Sequence, residues 1–164
     1  MEQIRRIIAN PAYRECLTKN EAAENDRIFC THHFEHLLAT ARLTYILILE
    51  EGCPFISREM AYAAGLLHDI GRWCEYWDGT DHAKASAELA EPILLEAGFS
   101  ENESRIIKQA IAQHRLKGDC CEHRSLLSAA LSRADSLSRN CFSCKVREQC
   151  RKFGHQPNQE TLLY

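Results

Sequence analysis

The stretch Ala64-Gly-Leu-Leu-His-Asp-Ile-Gly-Arg72 decides the fold, because it places two reactive side chains at the end of a buried segment. Apolar residues recur before them with helical spacing, at Ala61, Ala64 and Leu67. We therefore predict a buried helix that presents His68 and Asp69 at its C-terminal end, with Gly71 as its stop. Burying this carboxylate is unfavourable unless a positive charge pairs with it, and a metal ion is one such charge. The alternative is a local role in which Asp69 only orients His68.

The rest of the chain also has the hydrophobic spacing of helices. We predict helices from about Ile4 to Ile8 and over 12–24, 31–51, 82–97, 101–115 and 123–139. Thr31, Ser57 and Ser100 are the expected N-caps, the last of them in a capping box with Glu103. Residues 72–81 are predicted to form a loop. Because no strand-like alternation or repeat appears, we predict an all-α fold, a compact helical bundle.

Composition narrows the class of protein. A chain of 164 residues with 45% hydrophobic and 26% charged residues is typical of one globular domain. A formal net charge of −3 argues against a general nucleic-acid binder, which is normally basic. The sequence has no apolar leader and no apolar run of transmembrane length, so we expect a cytoplasmic protein without a membrane partner. The oligomeric state stays open.

Two further histidines lie on predicted helical stripes. His36 falls in line with Ala39, Leu43 and Ile46, and His114 extends the stripe of Ile107, Ala110 and Ile111. Taken alone, each is more often a hydrogen-bonded core histidine than a metal ligand. His32 lies one turn before His36 and faces the same side, so it competes with His36 for the role of first ligand.

The order of these residues along the chain resembles that of a known superfamily. His36, His68-Asp69, His82, His114 and Asp135 follow one another at wide intervals, and Gly65-Leu-Leu-His-Asp-Ile-Gly71 matches a family signature. The arrangement resembles the HD-domain superfamily of metal-dependent phosphohydrolases over roughly residues 27–139. The resemblance implies that these six side chains are metal ligands, with His36 preferred over His32, which becomes a nearby or substrate-contacting residue.

Four imidazoles and two carboxylates suit two divalent transition-metal ions, iron, manganese or zinc, better than magnesium or calcium. Simpler members of the superfamily have only the set that matches His36, His68, Asp69 and Asp135, and they bind one ion. The additional His82 and His114 make this chain resemble the dinuclear branch. In that branch Asp69 would bridge the two ions.

The resemblance also implies a reaction. Water activated by the metal would attack the phosphorus of a phosphate ester or anhydride as hydroxide. The expected substrate is a small phosphorylated molecule, and the family resemblance implies a nucleotide. The six-ligand pattern is similar to that of diadenosine-tetraphosphate hydrolases. Two alternatives stay open: a dinuclear-iron oxygenase of the HD type, and a non-catalytic nucleotide or redox sensor.

Three arginines are the predicted phosphate contacts, since a guanidinium matches phosphate geometry. Arg139 lies one helical turn after Asp135, Arg115 follows His114, and Arg72 follows the signature. The alternative is that they are solvated surface residues. The aromatic residues near Arg72 either stack on a base or pack over the core, the latter being favoured; they are Trp73, Tyr76 and Trp77.

The cysteines form the second unusual feature. The chain has nine, an odd number without a secretion signal, which favours metal binding or free thiols over disulfides. Cys141, Cys144 and Cys150 are close enough in sequence to bind one zinc ion or iron–sulfur cluster. The candidates for a fourth ligand are His155, His123, Cys120 and Cys121. We therefore divide the chain into a helical HD-type domain, 1–140, and a cysteine-rich tail, 141–164.

Overall fold

The computed structural model describes residues 1–116, 125–155, 157 and 164. The α-helices in these ranges are α1 (Glu2–Ala9), α2 (Pro11–Ala23), α3 (Phe34–Glu50), α4 (Arg58–Leu67), α5 (Arg72–Trp77), α6 (His82–Ala97), α7 (Glu101–Gln113) and α8 (Leu126–Leu137). Short 3-10 turns follow at Cys141–Ser143, Arg147–Gln149 and Phe153–His155. The described residues contain no strand, so the predicted all-α fold is confirmed.

Helix α4 lies at the centre of the bundle. It packs against α1, α3, α6, α7 and α8. From Met60 to Leu67 every residue except Tyr62 is buried, because small side chains let the neighbouring helices approach from several directions. Since α4 carries the signature stretch, its position brings His68 and Asp69 into the interior.

Two glycines permit the closest approaches in the bundle. A Cβ atom on Gly65 would lie 2.3 Å from Cα of Ala41, so α3 and α4 touch backbone to backbone. A Cβ atom on Gly71 would lie 2.7 Å from the backbone nitrogen of Ser86, at the start of α6. The prediction that Gly71 stops the signature helix is wrong, because α4 ends at Leu67 and Gly71 is instead the N-cap of α5. This glycine serves close packing against α6.

The predicted helix ends fit the structure in part. Ser57 accepts a hydrogen bond from the backbone nitrogen of Met60 at 3.1 Å, and Ser100 forms the expected capping box. Thr31 is not the N-cap of α3, which begins at Phe34. Residues 72–81 are not all loop, because α5 occupies the first six of them.

The buried stripe of α3 differs from the predicted one. The buried residues are Leu37, Thr40, Ala41, Thr44, Leu47 and Ile48, whereas Ile46 is 39% exposed. The second half of α3 is apolar on nearly every side, so periodicity alone does not choose the buried face. Packing against α4 and α8 decides it.

Candidate metal centre

The six predicted ligands come from the ends of five helices. His36 lies in the first turn of α3, His82 opens α6, and Asp135 lies in the last turn of α8. His68 and His114 are the C-caps of α4 and α7, and Asp69 follows His68. The bundle brings all six side chains together at one end.

The first group contains His36, His68, Asp69 and Asp135, whose ligand atoms all lie within 4.8 Å of one another. Nε2 of His68 lies 3.2 Å from Oδ2 of Asp69 and 3.7 Å from Oδ1 of Asp135. Nε2 of His36 lies 3.2 Å from Oδ1 of Asp135. Two imidazole nitrogens and two carboxylate oxygens therefore surround one point.

The second group contains Asp69, His82 and His114 within the same limit. Here the other oxygen of the aspartate, Oδ1, lies 3.2 Å from Nε2 of His82 and 3.6 Å from Nε2 of His114. Asp69 is thus shared, with one oxygen toward each group. A carboxylate that bridges two ions needs this arrangement.

Each of the four imidazoles is oriented by a hydrogen bond from its other nitrogen. The acceptors for Nδ1 are the carbonyl of Gly65 for His68 (2.8 Å), the carbonyl of Ile111 for His114 (2.7 Å), Oγ of Ser138 for His36 (3.0 Å) and the Glu75 carboxylate for His82. Oγ of Ser138 donates its own proton to the carbonyl of Asp135 at 2.7 Å, so it is free to accept from His36. These bonds leave all four Nε2 atoms facing the aspartates, as outer contacts do in metal sites.

The electrostatics of the centre favour a cation. Three buried atoms that face it have no hydrogen-bond partner: Nε2 of His68, Oδ1 of Asp69 and Oδ1 of Asp135. Burial by itself would lower the pKa of His68, but the carboxylates of Asp69 and Asp135 raise it to about 10. Burial would likewise raise the pKa of Asp69, yet His68 holds that pKa well below its usual range. Such a site keeps a positive charge between its carboxylates, and divalent ions fit the same nitrogen and oxygen donors.

Two of the imidazoles are neutral. Burial lowers the pKa of His36 and that of His114 to about 4, despite the nearby aspartates. Metals bind imidazole in this neutral form, so these side chains need lose no proton at neutral pH.

His32 occupies a different position. A carboxylate oxygen of Glu24 binds its Nδ1, and the other accepts a hydrogen bond from its backbone nitrogen at 2.7 Å. Its Nε2 lies 3.7 Å from Oδ2 of Asp69. His36 is the member of the first group, which fits the predicted preference, and His32 lies beside it. Sequence reasoning missed Glu24, because an acidic residue at the end of a surface helix has no distinguishing pattern.

The three predicted arginines surround the centre. Arg139 Nη2 lies 2.9 Å from Nε2 of His36, and its side chain is 15% exposed. On the other side, Nη1 of Arg72 donates to Glu75 at 2.8 Å. Arg115 reaches the same carboxylate at 3.4 Å and is 46% exposed. Glu75, which sequence reasoning also missed, thus connects two arginines to the second group.

The aromatic residues of α5 pack on one another. The rings of Trp73 and Trp77 meet edge to face with centroids 4.9 Å apart. The hydroxyl of Tyr76 donates to Glu24 at 2.9 Å. Trp77 is 56% exposed, so the favoured interpretation, packing over the core, is wrong for this ring, which instead packs on its neighbour in α5.

Comparison with known proteins identifies the fold. The HD domain family model matches residues 33–140, which include all six converging side chains. The chain belongs to the HD domain family. Its structure is also similar to the crystal structure of a predicted HD superfamily hydrolase from an uncultured Thermotogales bacterium, with a TM-score of 0.57 and 31% identity over 76% of this chain and 66% of that one. Family and structural likeness together support a metal-dependent phosphohydrolase in general.

Three curated proteins are similar to this chain over all or part of its length. An uncharacterized protein of Clostridium beijerinckii is 37% identical over the full length of both chains. Ribonuclease Y of Enterococcus faecalis is 35% identical over 63% of this chain but only 17% of its own. A bifunctional uridylyltransferase/uridylyl-removing enzyme of Erythrobacter litoralis is 34% identical over 43% of this chain and 7% of its own length.

None of the helices in the described part of the chain combines the length and apolar character of a membrane-spanning segment.

The tail cysteines lie beside the first group. Cys141 is buried, and it lines a cavity of about 370 Å³ together with Cys144, Cys30, His36 and Arg139. Among the predicted fourth ligands, His155 is exposed, while Cys120, Cys121 and His123 lie outside the described residues. No local pattern distinguishes Cys30, which lies more than a hundred residues before the tail.

Proposed function

We propose that this protein hydrolyses a phosphate ester or anhydride of a small molecule, by class a nucleotide, at two divalent transition-metal ions. The six residues named above would hold the ions, with Asp69 between them. The observation that carries the proposal is the division of this one carboxylate, whose Oδ2 faces His68 at 3.2 Å and whose Oδ1 faces His82 at 3.2 Å. Two histidine-rich groups that share one buried aspartate match a dinuclear site better than a mononuclear one.

When bound, such ions lower the pKa of water and neutralise charge on a phosphoryl oxygen. The protein contributes orientation. Its outward hydrogen bonds hold each imidazole in one tautomer, and the surrounding core keeps Asp69 within a water-poor environment in which charge interactions are strong.

Substrate binding would use the groups around the ions. Arg139 is mostly buried next to His36 and also donates to the carbonyl of Thr31 at 3.0 Å, which fixes its guanidinium beside the first group. Arg72 and Arg115 lie beside the second group. A phosphate between the two sides would therefore meet positive charge from both directions, which favours an anionic substrate.

His32 is placed to contact the substrate as well. Glu24 orients its ring, so that Nε2 points toward Asp69 without joining the closely spaced ligand atoms. A group held in this way can hydrogen-bond to a phosphoryl oxygen or to the leaving group. This position supports the role predicted for His32.

The test combines metal analysis with turnover. Protein purified without oxygen should contain about two transition-metal equivalents at the helical centre and release phosphate from at least one member of a panel of nucleotides. Asp69→Ala should lose both ions and reduce turnover by about 10⁴-fold or more, since both groups lose their shared ligand. The helical circular dichroism should remain.

Asp26→Ala is the matched control, because Asp26 is an exposed aspartate between α2 and α3. It should behave as wild type. Oxygen uptake by the iron-loaded protein without phosphate release would instead indicate an oxygenase of the HD type. Thiol-dependent nucleotide binding without turnover would indicate a sensor. Either outcome overturns the hydrolase proposal.

A further inference from the structure

Four cysteines from two distant segments lie around one end of the molecule. Cys30 belongs to the connection between α2 and α3, and the other three lie in the tail after α8. A cavity of about 370 Å³ has Cys30, Cys141 and Cys144 in its wall. Arg139 joins the two segments, because its Nη1 donates at 3.0 Å to the carbonyl of Thr31, 108 positions away and next to Cys30.

Consecutive turns connect the cavity cysteines to the fourth cysteine, Cys150. The backbone nitrogen of Cys144 donates to the carbonyl of Cys141 at 3.2 Å. The backbone nitrogen of Arg147 donates to the carbonyl of Cys144 at 3.4 Å. The backbone nitrogen of Cys150 then donates to the carbonyl of Arg147 at 3.1 Å. Successive three-residue turns therefore link Cys141, Cys144 and Cys150 along the tail.

Cys141 lies among the other three thiols. It is 8% exposed, whereas Cys144 and Cys150 are half-buried and Cys30 is exposed. The thiols of Cys30, Cys144 and Cys150 are close enough to that of Cys141 to interact with it electrostatically. Thiols packed together in this way repel one another as thiolates, and a cation among them removes that repulsion.

We propose that Cys30, Cys141, Cys144 and Cys150 form a second metal site, a thiolate-only centre that binds a zinc ion or an iron–sulfur cluster. Both occupants select four cysteine thiolates, and both are chemically distinct from the nitrogen and oxygen ligation of the helical centre. Among the described residues, the ligand atoms that already lie within 4.8 Å of one another are those of the helical centre. Binding must therefore draw the thiols together or span them with a cluster.

Positive charge near the cysteines supports an anionic centre. Four thiolates on a divalent ion carry a net negative charge, and the tail supplies Lys145, Arg147, Arg151 and Lys152 close in sequence. Arg27 also donates from Nε to the carbonyl of Cys30 at 2.8 Å. Because Cys30 lies two residues before His32, a metal bound at the second site would restrain the segment that carries His32 beside the helical centre.

The experiment measures metal, acid-labile sulfide and visible absorption in full-length protein purified without oxygen. A zinc centre gives one zinc equivalent that persists in Asp69→Ala, without sulfide. A cluster gives iron with acid-labile sulfide and visible charge-transfer absorption, also in Asp69→Ala. Measurements on Asp69→Ala separate the cysteine site from the proposed hydrolase centre, because this variant should lose the helical ions.

Cys30→Ser should lower the occupancy of the second site at least tenfold, and Cys144→Ser should do the same. Cys30 is exposed, so its replacement leaves the core intact. Cys53→Ser is the control, because Cys53 lies after α3 and packs against the small cluster of α3 and α8. The proposal is overturned if Cys30→Ser retains wild-type occupancy, or if wild-type protein binds neither zinc nor iron and sulfide while all four thiols react freely with a thiol reagent.

Discussion

The helical centre and the cysteine tail present their side chains in opposite ways. At the centre, ligand atoms lie on the ends of packed helices, and the imidazoles are aimed by hydrogen bonds within the protein. In the tail, Cys141 begins a 3-10 turn and is buried, whereas Cys144 and Cys150 each follow such a turn and are only partly buried. We therefore expect the two proposed metal sites to form differently: the fold assembles one in advance, and the metal itself would organise the other.

The largest effect is expected when one methyl group is added where α3 and α4 touch. Gly65→Ala places its Cβ atom 2.3 Å from the backbone of Ala41, which cannot move away without separating α3 from α4. We expect a loss of about 3 kcal/mol or more in the free energy of unfolding, measured by urea denaturation, together with loss of the helical metals.

Gly154→Ala is the matched change in the tail, since a Cβ atom there meets nothing within 4 Å. It should change the free energy of unfolding by less than about 0.5 kcal/mol. Equal destabilisation by the two variants would contradict the difference in packing between the two regions.

An intermediate effect is expected from His114→Ala. The second group would keep only Asp69 and His82, while the four ligands of the first group stay in place. We expect the protein to retain one of the two proposed helical ions and to lose turnover by about 10²- to 10³-fold, with the unfolding transition still cooperative. Metal content per chain and initial rates measure this.

His155→Ala is the control for removing a histidine, because His155 is exposed in the tail. Loss of both ions in His114→Ala would show that the two groups do not bind independently. Retention of both would remove His114 from the ligand set.

The smallest effect is expected from weakening a contact that orients the imidazole of His82. Glu75→Gln weakens the carboxylate contact to Nδ1 of His82 but leaves every ligand in place. Outer contacts of this kind contribute about 10- to 100-fold in metal affinity, and we expect the second ion to weaken within that range. Competition with a chelator measures it, with Glu88→Gln, an exposed substitution on α6 that contacts Lys108, as the control. An unchanged affinity would show that the Glu75 carboxylate is not needed to orient His82.

Local pattern was sufficient for much of the architecture. The helical spacing before His68, the serine caps at Ser57 and Ser100 and the apolar stripe of α7 all depend on neighbouring residues, and all were predicted correctly. Where a segment is apolar on several sides, as in α3, periodicity selected the wrong face. The helix α5 was missed because its six residues are too few for a periodic signal.

The sequence by itself determined which residue types are available: four imidazoles and two aspartates in the order of a known family, and three clustered cysteines. Tertiary structure alone decided that Asp69 faces two groups, that Glu24 and Glu75 orient histidines, and that Cys30 meets the tail. The physical reason is that local spacing fixes which way a side chain points from its own helix. Which distant side chains it meets depends on how closely the helices pack, and here that depends on glycines that admit direct backbone contact.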